Sequence, residues 1–336
     1  MLSPNPFFLD KVNVLFFNIF IKNSQIHIIA PFNKKDTIND NDFKIQYNST
    51  VLECKERIMK NAYEPIQILI YDFPYINSDN SDNSDNAASY DIVTSFRDIK
   101  KTYSLKPDDT TQSLNSLQKK YTLTLTTLFK NDYKLMKIFY HYYKSLGVEH
   151  FFMYYNGKLT PDIIEHYSQL DVTLIEWDFI YWNNNSCYSR HYAQMGQMHD
   201  ALYRYGKNNS EYMIFCDLDE YMYLPNNRKL IDLVKERPID SYYFNNVWAN
   251  SIDDKIPDKM PDRFFIKRDL STPSKEWGRH KCIHKVEAVN YLGIHGQRQA
   301  GVHKYKPVID ESNTMFHFHS WGGYKKEKTP ILFKFD

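Results

Sequence analysis

Hydrophobic positions fall into two regimes along the chain. Up to about residue 115, short apolar runs alternate with polar turns. Val12–Ile21, Gln25–Ala30 and Pro65–Tyr71 are rich in Ile, Val and Phe, which predicts strands. Glu53–Asn61 is predicted as a short helix. Asn77–Asn86 repeats Asn, Ser and Asp without an apolar residue, which predicts a mobile loop. Lys106–Lys120 is again polar, suiting a linker or an exposed helix. This places a small β-rich accessory domain at 1–118 and a second domain at 119–336, with no internal repeat of domain size.

From Tyr121 the pattern becomes strand, helix, strand, helix, strand. Tyr121–Leu128 alternates with period two. Leu135, Ile138, Phe139, Tyr142 and Leu146 recur at helical spacing, and Gly147 stops them. Phe151–Tyr155 is the next strand. Thr160-Pro161 supplies a capping hydroxyl and a proline at the first helical position. That helix runs to about Leu170, and Val172–Trp177 follows as a strand. Tyr192, Met195, His199 and Leu202 form one helical stripe within 189–206, most simply a core stripe. Tyr212–Cys216 is a strand, Leu230–Glu236 a short helix and Ser241–Trp248 a strand. Such alternation predicts an α/β fold with a parallel sheet and right-handed crossovers.

The chemistry concentrates where the Tyr212–Cys216 run ends, in Asp217-Leu218-Asp219-Glu220. Carboxylates at the carboxyl end of a buried strand face the crevice where open α/β proteins bind ligands. Two positions apart, Asp217 and Asp219 share a side if the chain stays extended. Like charges so placed call for a cation, and Mg or Mn favours oxygen ligands and often keeps phosphate or water. A solvated acidic strand end is the alternative. Six histidines follow in the last third: His280, His284, His295, His303, His317 and His319. Any of them can complete a carboxylate site, although a single histidine is more often an ordinary polar residue.

Composition narrows the field. Lys+Arg 42 against Asp+Glu 41 leaves a net charge of +1, so nothing points to nucleic acid or an acidic membrane surface. Aromatic residues reach 16%, which suits carbohydrate stacking, but AT-rich codons account for most of them. Cys54, Cys187, Cys216 and Cys282 fit no zinc or Cys-x-x-Cys spacing and are read as reduced thiols. Val12–Ile21 is too short to span a bilayer and lacks a cleavage site. A cytoplasmic protein of a large DNA virus, or a similar source, is the expectation.

Tyr140–Asn156, Trp177, the helix containing Gln194, Asp217–Glu220, Lys281–His284, Leu292–His295 and His317–His319, taken in order, resemble segments of glycosyltransferase family 92 (the DUF23 group). Tyr140–Asn156 matches the family's segment linking its first helix to its second strand. The likeness continues through Trp177, the helix containing Gln194 and Asp217–Glu220. It returns at Lys281–His284, Leu292–His295 and His317–His319, and covers roughly 120–325. It implies a GT-A fold, a UDP-sugar donor, a glycan acceptor and Mn2+ (or Mg2+). Asp217 and Asp219 would then hold the ion, with His295 expected to complete its shell and His317 as the second candidate. Thr126, Thr127, Lys130, Asn131 and Asn156 would lie beside the nucleotide, and Gln194, Leu218 and Lys281 would approach the donor. The family's glutamate in the first helix is replaced here near Met136-Lys137, and its glycine-rich loop after the sheet by Trp248–Asp254. The acidic residue beyond that loop corresponds to Asp262, the expected catalytic base, with Asp254 and Asp253 behind it.

The resemblance implies transfer of a hexose, with galactose the sugar it suggests, and with inversion. An inactive carbohydrate-binding or scaffold protein on the same fold is one rival. A metal-dependent phosphate-ester hydrolase is another, since acidic pairs with histidine also build two-metal sites. Trp177, Trp182 and Trp248 are candidates for walls that orient a sugar, and each is equally explained by core packing.

Overall fold

The computed structural model describes residues 2–58, 66–74, 89–107, 119–186, 191–252, 255–267, 269–270, 279–297, 313–318, 321 and 331–335. The Asn77–Asn86 tract, Asp253, Asp254, Cys187, His303 and His319 lie outside them. The chain divides into two compact units: 1–2, 120–176 and 210–336 form one, and 3–119 with 177–209 the other.

The first unit is built on a mixed sheet. Val172–Glu176, His150–Tyr155, Tyr121–Phe129 and Ser210–Phe215 lie side by side and parallel. Lys281–Lys285 then pairs antiparallel with Ser210–Phe215 and hands on to Ser241–Asn250. Every residue of Ser241–Asn250 is buried, as expected of a strand covered on both faces. This long strand changes partner midway. Ser241 to Phe244 pair with His284 to Lys281, while Asn245 to Ala249 run parallel to Thr314–Phe318. Thr314–Phe318 also pairs antiparallel with Glu220–Tyr223. Arg263–Ile266 and Ile331–Lys334 complete the edge.

The helix Met136–Ser145 lays Met136, Ile138, Phe139, Tyr140 and Tyr143 into the core. It stops where expected. Gly147 has φ +92, a conformation L side chains resist, and a Cβ there would overlap Ile231 of the helix Leu230–Glu236. The helix Pro161–Tyr167 begins with proline as expected, but Thr160 makes no side-chain cap. Its carbonyl accepts from Ile164 instead.

The second unit holds two four-stranded antiparallel sheets. Asn18–Lys22, Gln25–Pro31, Ile66–Asp72 and Cys54–Ile58 form one; Ile99–Leu105, Tyr90–Phe96, Phe43–Tyr47 and Thr50–Leu52 form the other. Ile19, Ile21, Ile26, Ile28 and Leu69 of the first share one core with Phe43, Ile45, Ile92 and Phe96 of the second. That is a β-sandwich.

Two local expectations change here. The predicted helix at Glu53–Asn61 is a strand over Cys54–Ile58, because pairing with Ile66–Asp72 satisfies its backbone where a short charged helix has little to bury. Residues 59–61 lie outside the described residues. The single strand Val12–Ile21 is two, Val14–Phe16 and Asn18–Lys22.

The stripe in 189–206 is a helix over Tyr192–Asp200 that continues as a π-helix over Ala201–Gly206, all of it buried. It belongs to this second unit. Asn18, Phe20, Lys22 and His27 alternate with the sandwich-core residues, so they face outward from it, and this helix covers them. Phe17 packs on Tyr192 at 4.8 Å, and the Asn18 amide donates to Asp200 Oδ1 at 2.6 Å. Gly196 gives room to Phe17, whose ring carbons would lie 2.7 Å from a Cβ there. The Lys22 ammonium donates to the carbonyls of Tyr203, Arg204 and Lys207 at 3.2, 2.5 and 2.6 Å.

Candidate functional site: a carboxylate turn held by a buried lysine and a histidine

The Ser210–Phe215 strand ends two residues before Asp217. Asp217-Leu218-Asp219 is a turn, not the extended segment the sequence suggests. The Glu220 N–H donates to the Asp217 carbonyl at 3.1 Å and closes it. The chain then enters Glu220–Tyr223, a strand with a different partner. The turn therefore lies where the backbone changes neighbours, and its carboxylates meet different groups. Leu218 points into the core and is fully buried.

Asp217 meets Lys281. Phe215 pairs with Cys282, so Lys281 comes opposite the end of the strand. Its ammonium donates to Asp217 Oδ2 at 2.7 Å and lies 3.1 Å from Glu220 Oε2. Glu220 Oε2 also accepts from the Asp217 N–H at 2.8 Å. Lys281 is 3% exposed and Glu220 2%. Burial disfavours the ammonium, but Asp217 and Glu220 outweigh it and keep it protonated beyond the ordinary lysine range. Burial also works against ionised Asp217; the Lys281 charge and hydrogen bond hold that carboxyl below the usual range. Glu220 is pushed up to about 7 by burial, with Lys281 opposing and Asp217 adding to the rise.

Asp219 meets His317. Glu220 pairs with His317 across the strands, and His317 Nε2 lies 3.3 Å from Asp219 Oδ2. The Phe318 N–H donates to the Asp219 carbonyl at 2.9 Å. His317 Nδ1 is 3.2 Å from Asn246 Oδ1, and its ring lies 4.3 Å from that of Trp248. Burial lowers the basicity of His317, but the Asp219 hydrogen bond and charge raise it further, so the net shift is upward.

The turn is braced from below by the first helix. The Tyr143 hydroxyl donates to the Glu220 carbonyl at 2.8 Å and accepts from the Met222 N–H at 3.1 Å. The neighbouring Tyr142 hydroxyl donates to the Met222 carbonyl at 2.8 Å.

Asp217, Asp219, Lys281 and His317 are thus brought together. Among the other candidates, His295 is exposed, and its Nδ1 lies 3.3 Å from the His280 carbonyl. Thr126 and Thr127 are buried within their strand, and Thr126 donates to the Phe152 carbonyl at 2.9 Å. Lys130 and Asn131 are exposed just beyond that strand. Asn156 is buried, its N–H donating to the Phe129 carbonyl at 2.8 Å. Gln194 lies in the second unit, where its Oε1 accepts from the Tyr181 hydroxyl at 2.9 Å. Asp262 is exposed, and its carbonyl accepts from the Phe335 N–H at 3.2 Å.

Three contributors were missed among the candidates: Glu220, Asn246 and Asp132. Glu220 had a signal, being the fourth residue of the acidic run. Asp132 follows the Tyr121–Phe129 strand and accepts from the Lys130 N–H at 3.0 Å. Burial, with added repulsion from Asp219 and Asp217, pushes it up to about 6. Its signal was the same as that of Asp217, an acid just past a buried strand.

Two carboxylates and an imidazole are donors that Mn2+ or Mg2+ accepts. Among the described residues, no three His, Cys, Asp or Glu side chains already converge as a metal site. The donor set suits an ion shared with a diphosphate, since such ions take one or two carboxylates and fill the shell with phosphate and water. Cys54, Cys216 and Cys282 are free thiols. No helix among the described residues is long and apolar enough to cross a membrane.

Compared with known proteins, residues 119–331 match the model of glycosyltransferase family 92. No curated protein matches the chain. Among solved structures, core-mannan synthase A of Aspergillus fumigatus, in a Mn/GDP form, is similar at 12% identity and TM-score 0.28. That alignment covers 40% of this chain and 44% of the other, less than half of each.

Proposed function

This chain belongs to glycosyltransferase family 92, and on that premise we propose that it moves a hexose from a UDP-sugar to a glycan acceptor with inversion. The observation that carries the reading is the carboxylate turn pinned between buried Lys281 and His317. Catalysis is proposed for 119–336, on a GT-A arrangement, with 1–118 as accessory, although 177–209 group with 3–119 in the second unit.

Asp217 and Asp219 would hold Mn2+ (or Mg2+), with His317 or His295 completing its shell. The ion, when bound, neutralises charge on the leaving diphosphate. Lys281 keeps a second positive charge fixed beside Asp217 in a water-poor setting, where a cation acts strongly on developing negative charge. Trp248 packs on His317 and restricts the ring that faces Asp219. In the reaction the acceptor oxygen bonds to the anomeric carbon as the bond to the diphosphate oxygen breaks, and UDP departs with the electron pair. The acceptor proton passes to a carboxylate; Asp262 is the proposed base. Lys130, Asn131 and Asn156 are proposed donor contacts.

Asp219→Asn tests the reading. It keeps shape and removes one charge; His317 loses its ion-pair partner, so some stability is lost while the fold survives. Calorimetry of UDP with and without Mn2+ should show Mn-dependent affinity in the wild type and none in the variant. Equal Mn-dependent affinity in both removes Asp219 from the site and the main support for this function.

A further inference from the structure

Four of the five tryptophans lie among the described residues, and they divide sharply. Trp177, Trp248 and Trp321 are at most 5% exposed, whereas Trp182 is 58% exposed. An indole with one face in water has an apolar ring and a polar N–H, which suits stacking on a ligand that has both kinds of surface.

The segment that carries it is fixed. Trp182 is followed by Asn183, Asn184, Asn185 and Ser186. The Asn185 N–H donates to Asn183 Oδ1 at 2.9 Å, and the Asn183 and Asn185 amides both donate to Asn13 Oδ1, at 3.1 and 2.9 Å. Lys34 donates from its backbone to the Asn185 carbonyl at 2.9 Å and from its ammonium to the Asn184 carbonyl at 3.0 Å. The indole is also backed by rings. It lies 5.8 Å from His191 at a 32° tilt and 5.9 Å from Tyr181. The Tyr181 hydroxyl shares a 2.8 Å hydrogen bond with His191 Nδ1 and donates to Gln194. His191 is held at φ 58, a left-handed conformation that costs a non-glycine residue energy and persists where surroundings enforce it.

We propose that Trp182 is a stacking platform for a pyranose ring of a glycan chain. The platform rests on the glycosyl-transfer reading only for its biological use, as a grip on the acceptor. The chemistry of the segment favours a sugar over a protein partner. A protein interface needs a contiguous apolar centre ringed by polar groups. Here one flat ring is followed by two exposed amides, Asn184 and Asn185, held over buried Asn183, which matches a sugar: one apolar face of C–H groups, edged with hydroxyls that exchange hydrogen bonds with amides. The fixed segment also means little ordering cost on binding, which raises affinity.

The test is binding of the full chain to an array of gluco-, galacto- and manno-oligosaccharides, followed by titration of the best soluble ligand against tryptophan fluorescence. Trp182→Ala should weaken that ligand about tenfold or more, the scale of losing a central aromatic anchor. Trp182→Phe, which keeps a ring, should retain most of the affinity, and both variants should melt like the wild type. Their Mn-dependent UDP affinity should equal that of the wild type. If the wild type binds none of the glycans, or Trp182→Ala binds them equally, the platform is overturned. So it is if sedimentation shows self-association that Trp182→Ala abolishes, which makes the ring a protein contact. Glycan binding that depends on Trp182 in a protein with no Mn-dependent UDP affinity would keep the platform and sink the transferase reading.

Discussion

Two lysines are buried almost equally, Lys22 at 2% and Lys281 at 3% exposure, and they are answered by different groups. Lys22 in the sandwich unit is met by the carbonyls of Tyr203, Arg204 and Lys207 at the carboxyl end of a helix. The carbonyl dipoles at a helix C-terminus suit a cation, and the ammonium supplies donors that those carbonyls would otherwise lack. The outcome is a tie between helix and sheet. Lys281 in the other unit is met by Asp217 and Glu220. Carboxylates beside it, rather than neutral dipoles, make a cluster whose balance any arriving cation or anion must disturb. The same side chain is thus mortar in one place and part of a responsive site in the other. Burial alone does not tell these apart; the charge of the partners does.

Substitution can break that contrast. Lys281→Met should have the largest effect. Removing one partner of a buried ion pair costs about 3–5 kcal/mol, because the remaining charge is stranded. Chemical denaturation should show that loss, and Mn-dependent UDP affinity should fall with it. A variant as stable as the wild type, with unchanged UDP affinity, would make Lys281 no different from a surface lysine.

Acid sharpens the contrast on the sandwich side. His199 is fully buried and held at about 4 by burial. His27 is also at about 4, through burial and the Lys22 and Lys207 charges. Both bind a proton more weakly folded than unfolded. Their contribution is complete above the ordinary histidine value of about 6.5 and is lost as pH falls from there to about 4, at most about 3 kcal/mol each. Denaturation midpoints should drop over that window, and His199→Phe should flatten the slope. A slope unchanged in the variant would remove His199 from the account.

Lys22→Met should have the smallest effect, about 2–3 kcal/mol for hydrogen bonds from a charged donor left unmade. UDP affinity should stay at the wild-type value. A fall in UDP affinity matching that of Lys281→Met would erase the distinction between the two lysines.

The β/α alternation from Tyr121 to Glu176 was legible because each element has its own hydrophobic period and its own stop, such as Gly147. The helix Leu230–Glu236 was readable for the same reason. Cys54–Ile58 was not, since a short charged stretch carries no period and its pairing with Ile66–Asp72 is a distant event. The stripe of Tyr192 and Met195 revealed a buried face, but not that the face lies on the sandwich sheet; a stripe does not name what covers it. At the site, Asp217, Asp219, Lys281 and His317 were legible as residue types in family order. Their partition was not, because it follows from a turn that passes the chain from one set of strands to another. Glu220 was visible as an acid but not as the second partner of Lys281, which takes the register of two strands to see.

The strand Ser241–Asn250 has one more consequence. It is a single unbroken rod on which Phe244 is registered with Lys281 and Trp248 with His317. Four residues separate those positions, a span of about 13 Å at strand rise. The gap between the two posts on either side of the acidic turn is therefore a length of backbone rather than a choice of side chains. Point mutation can change what each post carries, and loops can change what is offered to it. The gauge itself changes only by insertion or deletion, which would turn every following residue to the wrong face. A lineage can retool this site many times while the distance it was built on stays as it was.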